Sequence, residues 1–399
     1  MWPSVSYEEL PWHIDPDERA MISKTARRRI ASSYQAAIPA EIASLNLAIP
    51  EALSARIGEL LVKLARFDEL QAVRGYDLPA LLLRSESAAS SQIEHLTSSV
   101  RIVALAELTS EAPANARIVQ GNIAAIRTAL SLSASTTVDQ IRAVHEALIA
   151  PTGASFGGEI RDEQVWIGGT AYSPHGALFV PPAPQRLAGA LEDLVAFIRR
   201  DDINPVAKAA IAHAQFETIH PFIDGNGRTG RVLLHIVLSS EGVLSRSTLP
   251  VSAGLLHDVD DYMAAIRAYQ QGDPMPIVIC TIEALELALV IGGRVSALMD
   301  EVMDAWKKDI KERAGSSIWR LPALLAEQPV VTIAFVAEKL GITPRAASTL
   351  VGRACAYGML RPMGSRRRGE YFQSDKLIDI LEEISSVPGI RRVLASGAQ

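Results

Sequence analysis

Cysteine is nearly absent. Cys280 and Cys355 are the only two in 399 residues, and both fall inside apolar helical patterns. That count excludes a disulfide framework and a cysteine metal cluster, and it predicts buried thiols in a reducing compartment. The opening MWPSVSYEEL lacks the basic-then-apolar pattern of a secretion signal. Long apolar runs are missing too: the longest, near Ile277 to Ile291, is interrupted by Glu283 and Glu286, which predicts no membrane span and a cytoplasmic address. Nor does positive charge dominate. With a net charge of −6 and a pI near 5.8, the chain as a whole is no polycation built for nucleic acid. What is present is ordinary globular material, 48% hydrophobic and 21% charged, long enough for two or three domains around a sizeable core.

One stretch concentrates the chemistry. Residues 220–231 read HPFIDGNGRTGR, placing a histidine, a carboxylate, a carboxamide between glycines and two arginines within twelve positions. A helix capped by Asn204 and opened by Pro205 leads into it and should stop at His220, because the residue before Pro221 is pushed out of the helical region. The glycines around Asn226 permit positive φ and let backbone N–H groups converge on an anion. A second helix is expected from about Arg228, with its positive end facing that anion. Arg228 and Arg231, three apart, share one face and suit several phosphate oxygens.

HPFIDGNGRTGR matches every fixed position of the Fic family motif, so this segment resembles a protein adenylyltransferase, which moves the AMP of ATP onto a protein hydroxyl. The resemblance implies roles for individual residues. His220 is the general base that deprotonates the Ser, Thr or Tyr hydroxyl, and Asp224 is the ligand for Mg²⁺. Asn226, with the amides around Gly225 and Gly227, holds the α-phosphate, while Arg228 lies nearer the β-phosphate and Arg231 nearer the γ. Phe222 packs inward. Ser90 and Glu94, in a helix over about 78–95, resemble the inhibitory motif of the same family. There Glu94 takes Arg231 from the γ-phosphate, although His95 stands where Gly or Asn is usual. Tyr262 resembles an adenine contact, with Met263 where many relatives have a second tyrosine. A hairpin over residues 164–180 resembles the flap that aligns the target by strand addition. His145 reads as a satisfied core or rim residue, and His213 as packing or orientation.

The predicted fold is mainly α: a Fic-type helical core with a small β-hairpin flap and a C-terminal winged helix-turn-helix. Residues 1–75 are expected to form a helical N-terminal extension, irregular at first around Pro3, Pro11 and Pro16, with Arg27, Arg28 and Arg29 on a solvated face. Residues 76–313 make the catalytic domain and 314–399 the winged module. Residues 331–372 carry net +5, leaving −11 for the rest. Arg366, Arg367 and Arg368 at the expected wing tip suit DNA phosphates. A homodimer is expected, and no membrane partner. The same site also admits removal of AMP or phosphate transfer, and a third reading is a nucleotide-sensing DNA-binding regulator.

Overall fold

The computed structural model describes residues 2–14, 22–27, 30–71, 74, 76, 78–109, 111–132, 136–245, 247–364 and 371–397. Within them the chain is mainly helical. It opens with β1 (Ser6–Pro11), a single-turn helix α1 (Lys24–Arg27) and β2 (Ser33–Ile38). Residues 220–231 lie amid α2 (Glu51–Gln71), α3 (Leu78–Ile93), α4 (Val100–Ala106), α5 (Ala114–Ser131), α6 (Val138–Ile149), α7 (Leu187–Ile198), α8 (Pro205–Ile219) and α9 (Asn226–Ser240). Then come α10 (Val251–His257), α11 (Val259–Gln270) and the long α12 (Met275–Asp309). The C-terminal part holds α13 (Leu321–Glu327), β3 (Val330–Val331), α14 (Ile333–Leu340), α15 (Pro344–Ala356), β4 (Arg361–Pro362), β5 (Phe372–Gln373), α16 (Asp375–Ile384) and α17 (Val387–Gly397).

The core is arranged around α8. Its residues Ala207, Ala209, Ala210, Ala212 and Ala214 are small on every side, and 13 of its 15 residues are buried. A helix apolar all round has no solvent face and is enclosed by neighbours. Here those are α7, α9, α11 and α12. Asn204 accepts the Val206 N–H at 3.0 Å and Pro205 occupies the first turn, so the start is as the sequence predicts.

Two expectations are corrected. The N-terminal extension is not simply helical: β1 and β2 pair antiparallel, from Ser6 opposite Ile38 to Pro11 opposite Ser33. That pairing is long-range and carries no alternating signal in SYEELP, so the pattern of the chain did not reveal it. The second concerns α12, which among the described residues is the one helix long and apolar enough to cross a membrane, with a mean hydropathy of 2.0 over its most apolar window. Glu283 and Glu286 do not disqualify it. In the fold 56% of that window is buried inside the protein, and Glu286 is paired with Arg56 at 2.6 Å. Cys280 on the same helix is buried, which pushes its thiol up to about 12.

The C-terminal elements follow the sequence reading closely. Thr332 caps α14 by accepting the Phe335 N–H at 3.0 Å, Gly341 ends it in the left-handed region, and Thr343 caps α15. β4 and β5 pair as expected, and β3 adds to the other edge of β5 to give the order β3-β5-β4. Arg366, Arg367 and Arg368 lie outside the described residues, as do Arg28 and Arg29.

Candidate active site

Pro221 ends α8, and His220 takes the left-handed conformation at φ 50° and ψ 60°, its N–H on the Phe216 carbonyl at 2.9 Å. A non-glycine residue there carries strain that surrounding contacts must hold. Arg161 supplies them. Its backbone N–H donates to Pro221 O at 3.0 Å and its Nε to His220 O at 2.9 Å. Its other nitrogens reach Glu163 O at 2.8 Å and Pro182 O at 2.6 Å, tying the base of the 164–180 segment to the loop after α8. Burial, helped by the charge of Arg161, pushes His220 down to about 4 and burial lowers Arg161 to about 10. The imidazole is therefore neutral at pH 7.

The loop is braced from inside. Phe222 is fully buried and stacks on His145 with ring centroids 3.7 Å apart. His145 accepts the Gly158 N–H at Nδ1, 2.9 Å away, so its proton sits on Nε2, which donates to Asp224 O at 2.9 Å. Both nitrogens are used, in keeping with a satisfied buried residue. Asn226 is likewise committed: its carboxamide donates to Phe222 O at 2.8 Å and accepts Phe222 N–H at 2.9 Å. In this structure its side chain closes the loop, so the anion-facing groups at this point are the first N–H groups of α9. Gly225 has φ 78°, and a Cβ there would meet Leu148 at 2.9 Å. Asp224 is exposed. One of its oxygens accepts the Gly225 N–H at 2.7 Å, and Arg228 stands 3.4 Å away.

Glu94 closes the cationic side. Its two oxygens accept from Arg228 Nε at 2.9 Å and Arg231 Nη2 at 2.8 Å, so it occupies both guanidiniums and not Arg231 alone. Ser90 lies beneath, its hydroxyl accepting Arg231 Nε at 2.9 Å and its carbonyl accepting Nη2 at 2.8 Å. One turn earlier Glu86, itself buried, lies 3.1 Å from His235 and accepts the Ser252 N–H at 2.7 Å. Residues 86, 90 and 94 thus form one polar face of α3 against α9. The helix ends in a Schellman turn, with Leu96 N–H on Ser91 O at 3.0 Å, His95 N–H on Gln92 O at 2.9 Å, and His95 at φ 59°.

These residues surround a cavity of about 350 Å³. Glu94, His220, Asp224, Gly225, Asn226, Gly227, Arg231 and Tyr262 all line it, whereas Arg228 stays behind Glu94 and Ser90 under Arg231. Tyr262 is almost wholly buried, its hydroxyl 2.8 Å from His213 Nε2 and its ring parallel to that imidazole. Burial holds His213 down to about 3, so it acts as an uncharged brace for Tyr262. At the mouth, residues 164–180 make a loose hairpin with bridges Ile167–Phe179 and Thr170–Ser173, and Leu178 is 84% exposed. β2 lies behind it, Ala37 N–H donating to Val180 O at 2.9 Å.

Two features of the site were not singled out from the sequence. Arg161 had no local signal, since its contacts with His220 and Pro182 are with carbonyls distant in the chain. Glu217 had one: the carboxylate of an alanine-rich helix, one turn before His220.

Residues 135–238 match the model of the Fic/DOC family. The chain is 30% identical over 145 residues to protein adenylyltransferase fic-1 of Caenorhabditis elegans, covering 36% of this chain and 26% of that protein. It is 36% identical over 98 residues to a probable protein adenylyltransferase of Aquifex aeolicus, covering 24% and 28%. The match thus spans about a quarter of the length of these curated relatives. A Fic family protein from Desulfovibrio desulfuricans G20 has the same fold, at a TM-score of 0.53 and 22% identity over 82% of this chain and 97% of that one.

Proposed function

We propose that this chain, with its Fic/DOC segment, is a protein adenylyltransferase that moves AMP from ATP to a Ser, Thr or Tyr hydroxyl and is restrained by its own Glu94. The observation that carries the reading is the carboxylate of Glu94 seated in the fork of Arg228 and Arg231, across a cavity from the neutral imidazole of His220. Two buried guanidiniums and a helix N-terminus form an anion site, and one carboxylate neutralises it only in part. A triphosphate fills it better once Glu94 withdraws.

His220 then takes the hydroxyl proton as the nucleophile approaches the α-phosphate, and the phosphates' negative charge raises its basicity above that of the empty site. The amides at the start of α9 stabilise charge on the α-phosphate, and Arg231 with Arg228 hold the outer phosphates, which leave as pyrophosphate when the bond from the α-phosphorus to the bridging oxygen breaks. No cluster of three metal-binding side chains occurs among the described residues. Asp224, with an exposed carboxylate, fits a Mg²⁺ shared between one protein oxygen, water and nucleotide phosphates. When bound, that ion would neutralise phosphate charge. The target segment would pair with the hairpin at Ile167–Phe179, whose exposed Leu178 offers an apolar contact. The order α14, Gly341, α15, then β4 and β5, supports a winged helix-turn-helix, for which DNA is the candidate partner.

The test uses α-labelled ATP with Mg²⁺. Glu94→Gly should label itself or a partner at least tenfold more than wild type, and adding His220→Ala should remove the label. Equal labelling with and without His220 rules the base out, and label arriving from γ-labelled ATP instead would make the enzyme a phosphotransferase.

A further inference from the structure

Glu217 sits one helical turn before His220 on α8, half-buried, and lines the same cavity as Arg231 and Tyr262. Its Oε1 is buried and has no hydrogen-bond partner among the described residues. The fold makes room for it. A Cβ at Gly230 of α9 would stand 2.6 Å from that oxygen, so the carboxyl occupies space that a side chain there would contest. A buried acceptor without a donor is costly, and nothing in the folding of α8 requires one. Burial, together with the nearby charge of Glu94, pushes the carboxyl up to about 7, against the pull of Arg231.

The cavity is divided chemically. Asp224 to Gly227 and Arg231 make its charged end, while Ile223, Met263 and Ile266 are apolar. A Cβ at Gly230, the residue beside Arg231, would also stand 3.1 Å from His213 Nδ1, and His213 holds the Tyr262 hydroxyl, so Glu217 lies where those two regions meet. In a nucleotide bound with its phosphates on the arginines and its base on the apolar wall, the group at that junction is the sugar. A carboxylate that lines the cavity at that junction is a good acceptor for a ribose hydroxyl, the pairing dinucleotide-binding folds use.

We infer that Glu217 is the sugar-recognising residue of the cavity, accepting a ribose hydroxyl and so selecting ribonucleotides over deoxynucleotides. This deepens the proposed function and rests on the cavity being a nucleotide site. Glu217 sets specificity by touching the substrate and takes no part in moving the proton or the phosphoryl group.

The test measures dissociation constants of ATP, 2′-deoxyATP and 3′-deoxyATP by calorimetry at pH 8, where the Glu217 carboxyl is ionised, with the full chain carrying Glu94→Gly so that the arginines are free. ATP should bind about tenfold to a hundredfold tighter than one of the deoxy forms, the usual worth of a hydrogen bond to a charged group. Adding Glu217→Ala should remove that preference by weakening ATP alone, and the isosteric Glu217→Gln should reduce it several-fold. A preference unchanged in both variants, or an equal loss for all three nucleotides, overturns the assignment and leaves Glu217 a packing residue. Failure of the Glu94→Gly protein to bind any of the three would instead remove the nucleotide reading, and this inference with it.

Discussion

Burial keeps the Glu217 carboxyl protonated up to about pH 7, against an ordinary value of 4.5. Below 4.5 the folded and unfolded chains both carry that proton. As pH rises to 7 the unfolded chain loses it first, so this group withdraws stability across that window. Glu217→Gln should therefore be neutral at pH 4.5 and raise the unfolding free energy by about 1–3 kcal/mol at pH 8, read from urea midpoints. No gain at pH 8 would mean the carboxyl is ionised without penalty. The histidines act in the opposite sense. His145, His213 and His220 are held down to about 4, 3 and 4, so each contributes stability at neutral pH that is lost as pH falls from 6.5 toward those values. Of the residue roles, the motif displayed the histidine, the carboxylate and the arginines because a spacing of a few positions brings them together locally. Arg161 was invisible to such reading, since it works through the carbonyls of His220, Glu163 and Pro182.

Between α8 and α9, the turn from Pro221 to Gly225 is held by the Asn226 carboxamide on both polar groups of Phe222. Asn226→Ala leaves a buried N–H and a buried C=O unpaired, and should cost about 1–3 kcal/mol in thermal or denaturant unfolding. A cost below about 0.5 kcal/mol would mean the loop closes without it. The family resemblance assigned Asn226 to the α-phosphate; only the folded loop reveals where its two hydrogen-bonding edges go. The end of α3 was better foreseen. Histidine is among the few non-glycine residues that tolerate the left-handed region, and His95 does end α3 there, completing both hydrogen bonds of the Schellman turn. Glu86, Ser90 and Glu94, each four apart, share a helix face by arithmetic, but their partners His235, Arg231 and Arg228 follow from how α3 lies on α9.

On the scale of the whole molecule, α3 is enclosed: 14 of its 16 residues are buried. One face meets α9, and another meets the C-terminal elements. Ser85 Oγ donates to Ile384 O at 3.1 Å, Gln92 Nε2 donates to Ser385 O, and buried Arg84 reaches Gln328 at 3.1 Å and Glu107 at 2.7 Å. A helix so held cannot leave as a body, so withdrawal of Glu94 is confined to its last turn, which Gln92 ties to the end of α16. Gln92→Ala removes one such bond, worth about 1 kcal/mol, and should raise labelling from α-labelled ATP up to about fivefold with Glu94 intact. Labelling that stays at the wild-type level while Glu94→Gly is active would show the C-terminal contact to have no hold on the restraint.

The chain alone determined the caps at Asn204, Thr332 and Thr343 and the set of side chains gathered in residues 220–231, since all of these depend on neighbours within a few positions. Tertiary structure alone decided the β1–β2 pairing, the reach of Arg161, the space that Gly230 leaves for Glu217, and the clasp of the C-terminal elements on α3. Those joins link residues far apart in the chain. Their partners are chosen by packing, which no local pattern encodes.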